Sequence, residues 1–335
     1  MLGLSVLACA ALLPTTAGAQ SASKFPGVSA DPLSTWSFVV ENDYFANTDE
    51  NYTNGLRLSY VSGEKEPRGV LKFIASTLLG ADEDARVRQG FALGQSIFTP
   101  QDLATATPLP TQHPYAGWLY GEYMAVVQQD DTIDQFTIQA GIIGPSAGGE
   151  FVQNHWHTLI GGETAKGWAN QIGDEPGLIL SYDHQHRALV EFGDTRFGAD
   201  VTPTVGFSVG NIQTNARIGM TIRIGRDLTN DYGPPRVRPS LAGAGYFSPA
   251  HHFSWYLFAG AEARAIAYDA FLDGRLFHKG DPHVSSKVFV GDFQAGLVTQ
   301  IRRVQIAYTY VVRTDEFTGQ GSPEQFAAIS LSSKF

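Results

Sequence analysis

Ala216-Arg217-Ile218-Gly219-Met220-Thr221-Ile222-Arg223-Ile224-Gly225 alternates without a break: even positions are apolar, odd positions are Arg, Gly or Thr. Period two is the signature of a strand with two unlike faces. Val304, Ile306, Tyr308, Tyr310 and Val312 repeat the pattern against Gln305, Thr309 and Arg313. Working outward from these, about twelve runs carry strand character: 35–43, 51–63, 87–98, 115–128, 132–143, 178–192, 198–210, 212–226, 251–270, 285–300, 302–316 and 324–335. Most reach ten residues, whereas strands of globular domains average ~5–6. A membrane-spanning strand needs ~9–11 tilted residues, which fits better. A soluble sandwich shows the same alternation. Strand length, aromatic strand ends and an export signal favour a barrel with lipid outside and a polar, filled lumen.

Met1 to Ala19 holds an apolar run from Leu2 to Leu13, then Pro14 and Ala17-Gly18-Ala19. That is the apolar core and small-residue cleavage pattern of a secretory signal peptide, although its start carries no Lys or Arg. Cleavage is expected near Ala19, followed by a short unstructured leader (20–33) and one barrel domain (34–335). The sole cysteine, Cys9, falls inside the signal, so the exported chain would hold itself together without disulfides. A closed barrel does that. The chain ends on Ile329, Leu331 and Phe335 alternating with Ser330, Ser332 and Lys334, resembling the terminal strand of outer-membrane barrels. No apolar stretch of about 18 residues follows the signal, so no transmembrane helix is expected. A net charge of −10 with no Lys/Arg run argues against nucleic acid.

Two segments break the strand rhythm. Residues 69–80 (Val70, Leu71, Phe73, Ile74, Leu78, Leu79) have helical spacing and predict a short rim helix. Residues 149–162 place Val152, Trp156, Leu159 and Ile160 on one stripe and Gln153 with His157 on a neighbouring face, before a Gly161-Gly162 stop. This predicts an amphipathic helix of about three turns.

Candidate chemistry gathers at two places. Trp36, Phe38 and Val40 share one face of the first strand; Leu56, Leu58 and Tyr60 share one face of the second. Between them lies Glu41-Asn42-Asp43 and, after an Asn/Asp-rich connection, Tyr52-Thr53-Asn54-Gly55. A hairpin turn uses Asn, Asp and Gly for backbone reasons alone. Here, however, Asn42 and Asp43 continue a strand register and Thr53 returns opposite them. The second place is the helix, where His157 is suited to general-base work near neutral pH, with Gln153 one turn before it and His155 also at hand. The sequence has no paired-Cys or His-Glu-x-x-His pattern for zinc, and no Gly-x-Ser-x-Gly elbow. That leaves a base acting on water, with the oxygens of Asp43 and Asn42 suited to a hard cation, calcium above all.

Six blocks occur in order: Glu41-Asn42-Asp43; Tyr52-Thr53-Asn54-Gly55; Gly94-Gln95-Ser96-Ile97-Phe98-Thr99-Pro100; Pro114-Tyr115-Ala116-Gly117-Trp118-Leu119-Tyr120; Gln153-Asn154 with His157; and Gly167-Trp168-Ala169-Asn170-Gln171 with Glu175-Pro176. Together they resemble the outer-membrane lipid A 3′-O-deacylases over most of the chain, with the motifs concentrated between residues 41 and 182. The resemblance implies a twelve-stranded antiparallel transmembrane β-barrel in the Gram-negative outer membrane. It implies a calcium-dependent ester hydrolase site between the wall and a short helix near the outer rim. The substrate would be lipid A, or lipopolysaccharide, in the outer leaflet. By position, His157 matches the general base, Asn42, Asp43 and Thr53 match essential polar residues, and Gln153 matches a site glutamine. Asp43 is the expected calcium ligand with Asn42, and Glu163 a further acidic partner. Where the family usually carries Asp-Arg before Pro-Tyr-Ala-Gly-Trp, this chain has Gln112-His113. Lys65, Arg68, Lys72, Arg86 and Arg88 are candidates to meet lipid A phosphates.

Two competing readings use the same residues. A barrel phospholipase would need nearly the same site; a pore or structural barrel would need neither His157 nor Asn42-Asp43. Oligomeric state is not encoded in any of these features.

Overall fold

The computed structural model describes residues 31–43, 51–82, 84–107, 109–160, 164–193, 196–234, 245–249 and 252–335. The expected signal segment, residues 20–30 of the expected leader, and Glu163 lie outside them. The alternating runs form β1 (Thr35–Asn42), β2 (Asn51–Val61), β3 (Arg86–Thr99), β4 (Ala116–Gln129), β5 (Thr132–Ile143), β6 (Glu175–His186), β7 (Val190–Gly193), β8 (Gly198–Gly210), β9 (Gln213–Arg226), β10 (Phe253–Asp269), β11 (Phe289–Ile301), β12 (Val304–Arg313) and β13 (Glu324–Lys334). Consecutive strands pair antiparallel, except that β6 pairs directly with β8 rather than β7, and β1 pairs with β13 from Thr35↔Lys334 to Asn42↔Ala327. The sheet is thereby closed. The expected strand 178–192 is interrupted at 187–189, where Ala188 adopts a left-handed conformation (φ 48°). Both pieces, β6 and β7, lie along one edge of β8, so they fill a single position in a twelve-position wall.

Burial separates the two faces as a membrane barrel requires. Ile218, Ile222 and Ile224 point outward and are exposed, whereas Arg217 and Arg223 on the same strand are 6% and 2% exposed in the lumen. The lumen is filled by ion pairs: Arg217 with Asp183 at 2.5 Å, Arg223 with Asp200 at 2.6 Å, and Arg313 with Asp292 at 2.7 Å. Arg57 meets Glu122 at 2.8 Å. A buried charge survives only when paired and hydrogen-bonded, and the wall supplies both partners from neighbouring strands.

Thr35 and Lys334 lie at one end of the barrel, with the tight turns 130–131 and 302–303. The connections 100–115, 144–174 and 270–288 lie at the other. The second of these holds α2 (Gly149–Ile160), close to its expected span; the helix predicted for 69–80 is α1 (Gly69–Phe73), continued by one π-helical stretch, Ile74–Leu78. A third, one-turn helix, α3 (Ala270–Asp273), follows β10. The end of the supposed leader departs from expectation. Asp31 is buried, holds Arg88 at 3.2 Å and Lys334, and its carbonyl accepts from Glu64 N at 2.8 Å. Its carboxylate bridges Arg88 and Lys334, and Glu64 holds Arg88 as well, at 2.9 Å.

If β9 faces lipid, Ile218→Arg should cost ~2–4 kcal/mol, the range for a cation near the midplane of a barrel's outer face. Urea unfolding in phospholipid vesicles measures it; a change under about 0.5 kcal/mol, the range of an ordinary surface substitution, would place this face in water.

Candidate active site

On β1 the outward row runs Trp36, Phe38, Val40 and then Asn42: three apolar side chains followed by a buried amide. The cross-strand row at that level is Asn42↔Asn54, Asn54↔Ile97 and Ile97↔Gly117, through β1, β2, β3 and β4. At ~4.8 Å per strand the row spans roughly 14 Å. These residues share the outer face of the wall, continuous with exposed Phe38, Leu58 and Leu93. The polar site therefore lies outside the barrel, not in its lumen.

Thr53 owes its place to a bulge. The β2–β3 register shifts between Tyr52 and Asn54, making Thr53 the extra residue on β2. Its Oγ1 shares a 2.6 Å hydrogen bond with Thr99 Oγ1, and its carbonyl accepts from Asn42 Nδ2 at 2.9 Å. Asn42, Asp43, Thr53 and Thr99 are all at most 2% exposed. Tyr52, by contrast, turns into the lumen, where its hydroxyl donates to Glu41 and its N–H to Glu324 Oε1 at 2.6 Å. A Cβ at residue 55 would lie 2.1 Å from that Tyr52 hydroxyl and 2.5 Å from Glu41 Oε2, so any side chain there displaces this pair.

Helix α2 roofs this wall, packing on β3 and β4. Its start is seated at Gly117, where a Cβ would lie 3.2 Å from Ala147 Cβ and 3.4 Å from Gly149 N. Gln95 Nε2 donates to Ala147 O at 2.6 Å. Among the described residues beyond Gly149, the buried positions of α2 are Gln153 and His157. Val152 and Trp156, on the expected apolar stripe, are half-buried and Phe151 is exposed. The helix thus turns Gln153 and His157 to the protein, packs Val152 beside Ile97 and Trp168, and exposes Glu150, Phe151, His155 and Thr158. His155 is exposed, its Nδ1 2.7 Å from Phe151 O.

Trp168, 1% exposed, donates Nε1–H to Gln153 Oε1 at 2.7 Å and packs on Tyr115 with ring centroids 5.0 Å apart. That bond fixes the Gln153 amide and leaves Nε2 buried with no hydrogen-bond partner among the described residues. Asn54 Oδ1 is likewise buried and unpartnered among them. An orphaned donor and an orphaned acceptor mark a place where a ligand, an ion or water completes the bonding. Asn54, Thr99 and Trp168 were not singled out from sequence as site residues. All three stood in quoted blocks, but only contacts made in the fold reveal their roles.

The basic residues fall elsewhere. Lys65, Arg68, Lys72, Arg86 and Arg88 belong to the β2–β3 connection and the start of β3, at the end of the barrel that carries the termini. Arg88 is buried, with Glu64 at 2.9 Å. They do not border the site, so the expected contact with lipid A phosphates is not made there. Gln112 accepts from Asp102 N at 2.9 Å, and His113 stacks on Phe98 with centroids 5.2 Å apart. Burial pushes the His113 imidazole below its ordinary range, against the Pro114 carbonyl at its Nδ1, which acts to raise it. In this chain the pair closes the barrel mouth.

The family model for outer membrane protein LpxR matches residues 4–335. The chain belongs to the LpxR family. It is an outer-membrane β-barrel, and the resemblance read from the motifs is borne out for family and fold. Among solved structures it is similar to LpxR from Salmonella typhimurium, with TM-score 0.73 and 19% identity over 90% of this chain and 100% of that one. It is more distantly similar to the beta domain of the Bordetella autotransporter BrkA, at TM-score 0.44 and 10% identity over 91% and 99%. No curated protein matches the sequence.

The seat of α2 predicts that Gly117→Val, which adds atoms where only 3.2 Å is open, lifts the helix without opening the barrel. Hydrogen exchange should quicken in α2 and stay slow in β3 and β4; unchanged exchange in α2 would show that the helix does not rest there.

Proposed function

We propose that this LpxR-family barrel is a calcium-dependent ester hydrolase that removes the 3′-linked acyloxyacyl chain from lipid A in the outer leaflet. The observation that carries the reading is that Asn42 and Asn54 are buried on the lipid side of the wall, beside the strands β3 and β4 on which α2 packs, with Gln153 Nε2 and Asn54 Oδ1 unpartnered among the described residues. A lipid substrate reaches such a site by lateral diffusion and need not leave the membrane. The rim opposite the termini carries the longest connection, 144–174, and is the one assigned to the outer leaflet.

His157 acts as general base. Buried on the inner side of α2, it takes a proton from a water that attacks the ester carbonyl. Gln153 Nε2, held by Trp168 through Oε1, donates to the oxyanion that develops. Thr53, locked by Thr99 and Asn42, orders the wall beneath.

The oxygens at the wall fit calcium in kind. Asp43 offers a buried carboxylate, Asn42 an amide oxygen, since its Nδ2 is committed to Thr53 O, and Asn54 the unpartnered Oδ1. Glu163, outside the described residues, is a further ligand proposed from sequence. No three His, Cys, Asp or Glu side chains converge among the described residues, so amide oxygens, carbonyls and waters would supply most of the 6–8 ligands calcium takes. When bound, the ion would polarise the ester carbonyl.

The filled lumen counts against a pore. A barrel phospholipase would use the same residues, so assays should include phosphatidylethanolamine beside lipid A; preferential turnover of the phospholipid overturns the substrate assignment.

His157→Ala should lower 3′-chain release ~10²–10⁴-fold, the usual contribution of a general base, while the barrel keeps its heat-modifiable gel migration. His155→Ala should stay near wild type. Mass spectrometry of lipid A reads both, and the reverse ranking would move the base to His155.

Chelation with a calcium-selective agent should abolish turnover, and calcium should restore it. Magnesium should restore little, because it dehydrates reluctantly and demands octahedral geometry. Full activity in excess chelator rejects the metal.

A further inference from the structure

The site lies on the outer face of the wall, yet the strand end that carries Thr53 is held from the lumen. β1 pairs with β13 as far as Asn42↔Ala327 and with β2 as far as Asn42↔Asn54. Glu324 lies beyond Ala327 on β13, and Tyr52 lies beyond Asn54 on β2, both just past the last paired residue of β1. The Glu324 carboxylate reaches across the line of β1, and its Oε1 accepts the Tyr52 N–H at 2.6 Å. Both residues are at most 1% exposed. The next residue along β2 is Thr53, the bulge.

Charge does not account for a carboxylate at this point. Arg313 already has Asp292 at 2.7 Å and Glu316 at 3.4 Å, whereas Glu324 Oε2 stands 3.7 Å away. Arg264 draws on the same acids, with Asp292 at 3.2 Å and Glu316 at 3.8 Å, and has Glu262 at 3.9 Å. Two guanidinium groups therefore meet three carboxylates before Glu324 is counted. A fourth adds buried negative charge, which is costly. What Glu324 contributes is its bond to the backbone of β2.

We propose that Glu324 is a positioning residue: by fixing the Tyr52 peptide from the lumen it sets the bulge that aims Thr53, and through Thr53 the Asn42 amide, on the outer face. Its consequence for turnover rests on the hydrolase reading above; the bonding does not.

The transmission runs through the wall in short steps. The Tyr52 side chain is held by its hydroxyl on Glu41 and by the rings of Phe98 and Phe326, with centroids 5.3 and 5.2 Å away. Glu324 holds the backbone of the same residue. A bulge leaves its extra residue outside the ladder, so the orientation of Thr53 follows from the peptide before it. Thr53 Oγ1 then meets Thr99 Oγ1 at 2.6 Å, and Thr53 O takes Asn42 Nδ2–H at 2.9 Å, which decides how the Asn42 amide is turned.

The test uses the full barrel in detergent micelles. Glu324→Leu fills the space without an acceptor, and Glu324→Ala is a second acceptor-free variant read in the same way should the first not fold. Glu324→Gln keeps the acceptor and removes the charge. Arg313 retains Asp292 and Glu316 in all three, and heat-modifiable migration confirms the fold. The acceptor-free variant should lower kcat for 3′-chain release about tenfold or more with KM within about twofold, because a misplacement of about 1 Å can cost 10²-fold. Glu324→Gln should restore most of that loss. Wild-type kcat without the acceptor, or a Gln variant as slow as Leu, overturns the proposal. A second arm needs no catalysis: hydrogen exchange of the Tyr52 N–H and the Asn42 side-chain amide, followed by NMR. Both should exchange slowly in wild type and Glu324→Gln and markedly faster in the acceptor-free variant. A Tyr52 N–H unaffected by losing the acceptor rejects the bond, and an Asn42 amide that does not follow Tyr52 rejects the transmission. If wild type releases no 3′ chain, the lipid A reading fails, and this exchange pattern alone decides the positioning role.

Discussion

Inside hydrocarbon no water is at hand to satisfy a peptide group, so every N–H and C=O in the wall must find its partner in the wall. The pairing of β1 with β13, residue by residue from Thr35↔Lys334 to Asn42↔Ala327, is where this chain meets that demand. Closure fixes an inside and an outside. The alternation of the strands then sends Ile218, Ile222 and Phe38 to lipid and Arg217, Arg223 and Arg313 to the lumen. Guanidinium groups left there alone would be untenable, so the lumen acquires Asp183, Asp200 and Asp292 within hydrogen-bond reach. Even Asp31, ahead of the first strand, is drawn in to neutralise Arg88 and Lys334.

A lumen filled in this way leaves the outer wall for chemistry on a lipid. The change of character along one strand face is abrupt: Phe38 and Val40 meet hydrocarbon, and two residues on Asn42 is buried under protein. Helix α2 makes that possible by covering the wall and keeping its polar pair, Gln153 and His157, underneath.

Period-two alternation, strand length and the i, i+4 spacing of Gln153 and His157 are local signals, and the fold and helix register were legible from them. The misplaced basic residues show the limit. Lys65 to Arg88 follow the second strand closely in sequence, but which end of the barrel a connection occupies depends on counting strands from the closure, which charge does not report. The 187–189 interruption was missed because alternation resumes in Val190–Gly193 on the same edge of β8. Asn54, Thr99 and Trp168 were hidden for another reason. Their roles arise from pairs 12, 46 and 15 residues apart: Asn54 opposite Asn42, Thr99 on Thr53, and Trp168 on Gln153. No periodicity encodes such partners.

A base carried by a strand is positioned by the hydrogen-bond ladder; a base on a helix laid against the outside of a barrel has no such ladder. This difference accounts for much of the motif content between residues 94 and 171. Gln95 ties the helix start to β3 through Ala147 O, Gly117 admits it to close contact with β4, and Tyr115 supports Trp168, which holds Gln153. None of Gln95, Gly117 or Tyr115 supplies a reacting group in the mechanism proposed. They set the height and rotation of α2, and an error of about 1 Å there would weaken catalysis as surely as the loss of a partner. The sequence blocks that most resemble the family are in this sense mainly a clamp, and the reacting groups are the few side chains the clamp holds over the wall.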